Sequence, residues 1–150
     1  MISYYASDGD PYNVASGGVV YSSDQVLLLS RIDEGRKTYH LPKGTLEPGE
    51  SLEACSKREI LEESGATVDL EYYLGAISAE FIGNGKSINK VTHYYAAKLK
   101  SEDLQPMDSE HSGREWVSIS EAQNLLKLND NPKREWLIIK RLERWIALQG

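Results

Sequence analysis

A short segment of the chain concentrates carboxylates that could bind a metal ion. Residues 41–68, LPKGTLEPGESLEACSKREILEESGATV, contain six glutamates. Glu59, Glu62 and Glu63 are three and four positions apart, so on a helix their side chains share one face. Carboxylate oxygens are the ligands that Mg²⁺ and other hard divalent cations prefer. The pattern indicates a metal site, with a solvated acidic surface as the alternative.

The placement of these glutamates favours the metal site. Residues 51–64 contain no Pro or Gly, and Ser51 and Gly65 are suited to cap a helix over this range. Neighbouring like charges destabilise a helix by a few tenths of a kcal/mol, and anions are disfavoured near its C-terminus. A sequence that served helix stability alone would carry Lys or Arg there. Nearby, Arg58 follows Glu50 by eight residues and could hold that carboxylate against the helix.

The order of these residues resembles the signature of the Nudix hydrolases, G-x5-E-x7-R-E-U-x-E-E-x-G-U. Gly44, Glu50 and the run 58–66, REILEESGA, agree at every fixed position. The one departure is Ala66, where a larger aliphatic residue is usual. The resemblance spans 23 of 150 residues. It implies an α/β/α sandwich, with a mixed β-sheet flanked by helices, and hydrolysis of a nucleoside diphosphate linked to another moiety.

The resemblance also implies a divalent cofactor, Mg²⁺ with Mn²⁺ as a substitute. The implied metal ligands are the Gly44 carbonyl and the carboxylates of Glu59, Glu62, Glu63 and Glu110. The implied catalytic residues are Glu62, Glu110 and Arg58, of which Arg58 orients the helix and its preceding loop. Glu110 is preferred over Glu115 as the additional ligand or base. The sequence leaves open whether Glu110 or a glutamate of the signature is the general base.

Basic and aromatic residues outside the carboxylate cluster are candidates for substrate binding. Lys43 precedes the signature glycine and would place a cation near phosphates. The further candidates are Arg31, Lys90, Tyr94 and His111. Tyr94 or Phe81 could stack on a nucleobase, although each could equally belong to the core.

The substrate is less closely defined. Pro-Lys-Gly before the signature, Tyr94 on its strand and Glu110-His111 before a Trp-containing strand resemble members that cleave diadenosine polyphosphates. An oxidised or ordinary nucleoside triphosphate is the second candidate and a sugar nucleotide the third. A non-catalytic nucleotide-binding module stays an alternative, but such a module is expected to lack at least one metal carboxylate.

Composition limits the class of protein. The chain has 150 residues, is 40% hydrophobic and carries a net charge of −6, which predicts one domain over residues 1–150 and no stable nucleic-acid binding. A single cysteine and the lack of a long apolar run predict a cytoplasmic protein with no membrane association. A small-molecule nucleotide is the expected partner, and the oligomeric state stays open.

The remaining segments predict strands and helices that would position the site. Residues 13–32 read as two strands around a short turn, and 33–50 as a loop. Strands are predicted at 67–82 and 89–100, joined by a hairpin on Asn84-Gly85, and at 114–119. A helix is predicted from Ser120 to about Leu128, and a last helix is expected to begin at Asn131-Pro132.

Overall fold

The structure, a computed structural model, describes residues 12–83, 85–129 and 134–150. Seven strands and three helices occupy these ranges. The strands are β1 (Tyr12–Ser22), β2 (Gln25–Asp33), β3 (Arg36–His40), β4 (Lys43–Thr45), β5 (Val68–Gly83), β6 (Lys86–Leu99) and β7 (Gly113–Ser118). The helices are α1 (Leu52–Ser64), α2 (Ile119–Lys127) and α3 (Glu135–Gln149).

The strands form one mixed sheet. Its main path runs β3-β2-β1-β6-β5, while β4 pairs with β1 and β7 pairs with β2. Strands β1 and β6 are parallel, and the other pairs are antiparallel. The predicted mixed sheet flanked by helices is therefore confirmed.

Alternating side chains of the central strands form a core on each face of the sheet. Val19 and Leu28 belong to the larger core, which packs against α2 and α3. Their neighbours Val20 and Leu27 point the other way and pack with Ile60 of α1. This alternation is the normal consequence of strand geometry, and it makes the architecture a three-layer α/β/α sandwich.

Helix α1 is fixed at both ends and along its length. The Ser51 hydroxyl accepts a hydrogen bond from the Ala54 N–H at 3.0 Å, and Gly65 ends the helix in the left-handed conformation with φ 77°. Ser56, which is buried, donates to the Gly17 carbonyl at 2.8 Å and lies 2.7 Å from the Ser16 hydroxyl. Both predicted caps are confirmed, and the serine pair attaches the helix to β1.

The structure corrects two boundaries predicted from the sequence. Residues 33–50 are not all loop, because β3 and β4 lie within them; each is short and is recognisable only through its pairing with β2 or β1. Helix α2 begins at Ile119, one residue before the predicted Ser120, and its cap is Ser118, whose hydroxyl accepts from the Glu121 N–H.

Two other predicted features fall partly or wholly outside the described residues. Strands β5 and β6 pair up to Gly83 and Lys86, as a tight hairpin requires, but Asn84 lies outside the described ranges. The predicted cap at Asn131-Pro132 also lies outside them, and α3 is described from Glu135 onward. None of the helices in the described ranges combines the length and the apolar character needed to cross a lipid bilayer.

Substitution of Ile139 by alanine tests the packing of α3 on the sheet. Ile139 is fully buried in the larger core, whereas Leu148 on the same helix is 77% exposed. We expect Ile139→Ala to lower the free energy of unfolding by about 3 kcal/mol, because it leaves a cavity, and Leu148→Ala to leave it nearly unchanged. Urea denaturation measures the free energy of unfolding of both variants. Equal losses in the two variants would contradict the packing of Ile139 in the core.

Candidate metal and phosphate site

A cavity of about 420 Å³ brings together eight of the residues predicted for the site. Strands β2, β3, β4 and β6, helix α1 and the segment before β7 all contribute to its lining. The predicted residues that line it are Arg31, Lys43, Gly44, Glu59, Glu63, Lys90, Glu110 and His111. Carboxylates, the backbone at Gly44 and cationic side chains thus converge on one space.

The backbone of β4 lies directly against the Glu59 carboxyl group. A Cβ added at Gly44 would collide with the carboxyl group of Glu59, so a side chain at position 44 would displace that carboxyl group. The Gly44 carbonyl accepts a hydrogen bond from the Cys55 thiol at 3.3 Å. Burial raises the pKa of that thiol to about 12, so Cys55 is a neutral donor at pH 7. The Gly44 backbone and the Glu59 carboxyl group thus lie side by side, and the role of Gly44 as a metal ligand stays a prediction.

Glu63 is the most buried of the three glutamates. One of its carboxylate oxygens accepts a hydrogen bond from the Lys43 N–H at 2.8 Å. Burial, followed by the negative charges of Glu59 and Asp108, raises the pKa of Glu63 to about 7. Burial likewise raises the pKa of Glu59, outweighing its 2.7 Å ion pair with Arg58. Such carboxyl groups favour a nearby positive charge.

A second set of potential ligands faces Glu63 from the segment before β7. One ligand atom each of Glu63, Asp108, Glu110 and His111 lies within 4.8 Å of the others. The His111 ring is almost fully buried, and its Nδ1 lies 3.2 Å from Asp108. Glu110 is more exposed, and its backbone carbonyl accepts from Arg31 at 3.3 Å.

Arg58 connects the glutamates of α1 with the preceding loop. Its Nε and Nη2 donate to the two oxygens of Glu50 at 2.7 and 2.8 Å. Its Nη1 donates to Glu59 at 2.7 Å. The Arg58 hydrogen bonds lower the pKa of Glu50 to about 2. The predicted contact between Arg58 and Glu50 is thus confirmed, and it is bidentate.

Comparison with known proteins assigns the chain to a family. The NUDIX domain family matches residues 11–138, which include the whole cavity lining. The chain belongs to the NUDIX domain family. The resemblance inferred from the signature is therefore confirmed.

Individual Nudix relatives and solved structures agree with this assignment. The chain is 36% identical over 67 residues to an oxidized purine nucleoside triphosphate hydrolase of Mus musculus, covering 42% of this chain and 43% of that protein. It is 31% identical to Nudix hydrolase 4 of Arabidopsis thaliana, covering 88% and 58%. It thus spans about half the length of these relatives. An Ap4A hydrolase complex of C. elegans has a similar fold, with a TM-score of 0.70 at 22% identity, covering 90% and 98%.

Two of the three residues predicted to be catalytic lie apart from the cavity. Glu62 is 54% exposed and lies 3.3 Å from Arg58, but it is absent from the cavity lining within the described ranges. Its roles as a metal ligand and catalytic residue stay predictions. Arg58 is likewise absent from the described lining, which agrees with the predicted orienting role.

Tyr94 is a core residue in this structure. It is 1% exposed, and its hydroxyl donates to Glu135 at 2.7 Å. Both faces of the ring are therefore covered, which argues against the predicted stacking on a nucleobase. It lines a small side cavity of about 50 Å³ together with Lys43 and Lys90. The side chain of Phe81 lies outside the described part of the chain.

Sequence reasoning missed two residues of the site. His40 lines the cavity; its Nε2 lies 2.7 Å from the Thr38 hydroxyl, and its ring lies 6.1 Å from that of His111. Asp108 lies two residues before Glu110, and this acidic segment is the sequence feature that could have identified it. No such sequence signal marks His40, because it lies in a polar segment with Gly and Pro that predicts a loop. Glu115 forms an ion pair with Lys37 at 3.1 Å, in agreement with the preference for Glu110.

The donor set fits a hard divalent cation. Gly44 offers a carbonyl, and the surrounding ligands are mainly carboxylates, of which Glu63 is buried with a raised pKa. Mg²⁺ and Mn²⁺ prefer such oxygen ligands. Glu59, Glu63 and Glu110, with the Gly44 carbonyl, are the residues that would hold the ion.

Replacement of Glu50 by glutamine tests the bidentate contact with Arg58. We expect Glu50→Gln to lower the free energy of unfolding by about 2 kcal/mol at pH 7, because a charged pair of hydrogen bonds is lost. The lowered pKa means that this stabilisation is complete above about pH 4.5 and is lost as the pH falls toward about 2. Urea denaturation at several pH values should show the free energies of unfolding of the two proteins converging near pH 2. A difference that stays constant with pH would contradict the stabilising pair between Glu50 and Arg58.

Proposed function

We propose that this Nudix domain hydrolyses a phosphoanhydride bond in a nucleoside diphosphate linked to another group, with a divalent metal as cofactor. The observation that carries the proposal is the convergence of Gly44, Glu59, Glu63 and Glu110 on one cavity that also contains three cationic side chains. Carboxylates alone would repel a polyphosphate. Cations alone would bind it without supplying a metal site.

The two kinds of charge have different roles in this proposal. When bound, the metal neutralises phosphate charge and lowers the pKa of a coordinated water. Arg31, Lys43 and Lys90 line the same cavity and would bind the phosphate oxygens. Of these, Lys43 is fixed through its backbone by Glu63, which supports a defined position for its side chain at the edge of the metal site.

Glu110 is the proposed carboxylate outside the signature that completes the site. Its side chain is 66% exposed and reaches the cavity next to the buried His111. An exposed carboxylate beside the reacting centre could accept a proton from the attacking water and pass it to solvent. His111, oriented by Asp108, is proposed to contact the phosphates.

Two nucleotide classes remain candidates for the substrate. The relative from Mus musculus is named for oxidised purine nucleoside triphosphates, and it matches this chain at 36% identity over the 67 aligned residues. The sequence pattern around Lys43 and Glu110-His111 favours a diadenosine polyphosphate. The burial of Tyr94 weakens that candidate, because the tyrosine was one of its three supporting features. We therefore propose a nucleoside triphosphate first and a diadenosine polyphosphate second.

A substrate panel tests this proposal directly. It contains dinucleoside polyphosphates, ordinary and oxidised nucleoside triphosphates and ADP-ribose, with products separated by chromatography. We expect hydrolysis of at least one nucleotide with Mg²⁺ or Mn²⁺, and none in excess chelator, because the carboxylates alone do not activate water. Full turnover in chelator would overturn the mechanism. Nucleotide binding without hydrolysis of any panel member would favour the non-catalytic module.

Substitution of Glu63 by glutamine tests the buried carboxylate. Glutamine retains an acceptor for the Lys43 N–H but removes the negative charge. We expect kcat to fall about 100-fold or more, as for loss of one electrostatic group in a preorganised site. Glu53→Gln is the matched control on the same helix; Glu53 accepts from the Tyr95 hydroxyl at 2.9 Å, away from the cavity. Equal rates for both variants would contradict the role of Glu63.

A further inference from the structure

The C-terminal end of α1 carries negative charge that the last turn itself does not balance. Glu62 and Glu63 lie in its last turn, and that turn contains no basic residue. The helix dipole adds partial negative charge at the same end. Arg58, one turn earlier, pairs with Glu62 at 3.3 Å. Arg114 on β7 adds a second cation at the helix end, where its Nη1 donates to the Ser64 carbonyl at 2.8 Å. A residue 50 positions away in the sequence therefore caps this helix.

The same guanidinium nitrogen also binds the segment that leads to the cavity. Arg114 Nη1 donates to the Gln105 carbonyl, and the Gln105 N–H donates to the Gly65 carbonyl at 2.8 Å. A Cβ added at Gly65 would lie 1.9 Å from the Gln105 carbonyl oxygen. The glycine therefore allows the segment to approach the helix end as well as allowing the left-handed turn.

The segment from residue 105 to residue 112 is an arch that is anchored at both ends. Gln105 holds one end on α1. At the other end, the Ser112 N–H donates to the Ser30 carbonyl of β2 at 2.7 Å. Asp108, Glu110 and His111, the residues that face Glu63, lie between these anchors. The position of the arch relative to α1 therefore sets the distances among these ligand atoms.

We propose that Arg114 is a positioning residue that couples α1 to this arch, and so holds the carboxylates of the arch at metal-binding distance from Glu63. The proposal rests on the proposed function of the same site. Arg114 is absent from the cavity lining within the described residues, so it acts through the backbone of Ser64 and Gln105. An arginine suits this role because one of its nitrogens carries two N–H donors, one for each carbonyl.

Mn²⁺ binding without substrate tests the coupling, with free Mn²⁺ followed by electron paramagnetic resonance. Arg114→Met removes the hydrogen-bond donors and the charge but keeps an unbranched, apolar side-chain stem. We expect its dissociation constant for Mn²⁺ to rise at least about tenfold, the size typical of residues that support metal ligands. Arg114→Lys keeps the charge, and its dissociation constant for Mn²⁺ should lie between those of Arg114→Met and the unsubstituted protein.

Arg141→Met is the matched control. Arg141 also donates its Nη1 to a backbone carbonyl, that of Leu74 at 3.1 Å, but on α3 and away from the arch. We expect this variant to bind Mn²⁺ with unchanged affinity. If both methionine variants lose the same stability and neither changes Mn²⁺ affinity, Arg114 is only structural and the proposal is overturned.

Amide hydrogen exchange at Gln105 provides a readout that is independent of metal and activity. Its N–H donates to Gly65 at the end of α1, so we expect faster exchange in Arg114→Met and no change in Arg141→Met. Unchanged exchange in Arg114→Met would overturn the coupling. An unsubstituted protein that binds no Mn²⁺ would instead overturn the proposed function. If Arg114→Met does not fold, Arg114→Lys replaces it in both measurements, with an unchanged result again overturning the proposal.

Discussion

The structure depends on holding several carboxylates close together at the end of one helix, although their mutual repulsion opposes it. Arg58 offsets part of this repulsion by binding Glu50 and Glu59. In contrast, the Glu63 carboxylate accepts a hydrogen bond from the Lys43 backbone N–H. Burial first, and then the negative charges of Glu59 and Asp108, raise the pKa of Glu63, so its ionised form is held at a cost. A cation would remove that cost, which is why the cluster suits metal binding better than a structural role.

The backbone around residues 41–44 shows how the fold holds these charges in place. The Lys43 N–H donates to Glu63 on one side, and the Leu41 N–H donates to Glu135 of α3 at 3.4 Å on the other. The Pro42 carbonyl accepts from Gly18 on β1 at 3.2 Å. Both helical layers and the sheet thus meet at the short segment that precedes and contains Gly44. A displacement of any of these layers would therefore shift the backbone at the edge of the cavity through these hydrogen bonds.

The shared chemistry of the family and the choice of substrate come from different parts of the chain. The proposed metal ligands lie mainly in one compact segment, residues 44–63, in which the helix fixes the spacing of Glu59 and Glu63. The cations that face it, Arg31 and Lys90, come from two separate strands. His40 comes from a third. Under the proposed function, substrate preference would therefore depend on how the strands are arranged, and a similar metal site could serve different nucleotides.

The sequence by itself determined α1, its two caps, the Arg58–Glu50 pair and the proximity of Gly44 to the glutamates, because these features depend on local spacing. It also indicated the alternating strands that give the sandwich. It did not reveal β3, which pairs with the neighbouring strand β2 across a tight turn, or β4, which pairs with the distant strand β1. Only the tertiary structure buried Tyr94, brought His40 to the cavity and placed Arg114 at the end of α1. These outcomes depend on contacts between segments far apart in the chain, and such contacts leave no periodic signal in the sequence.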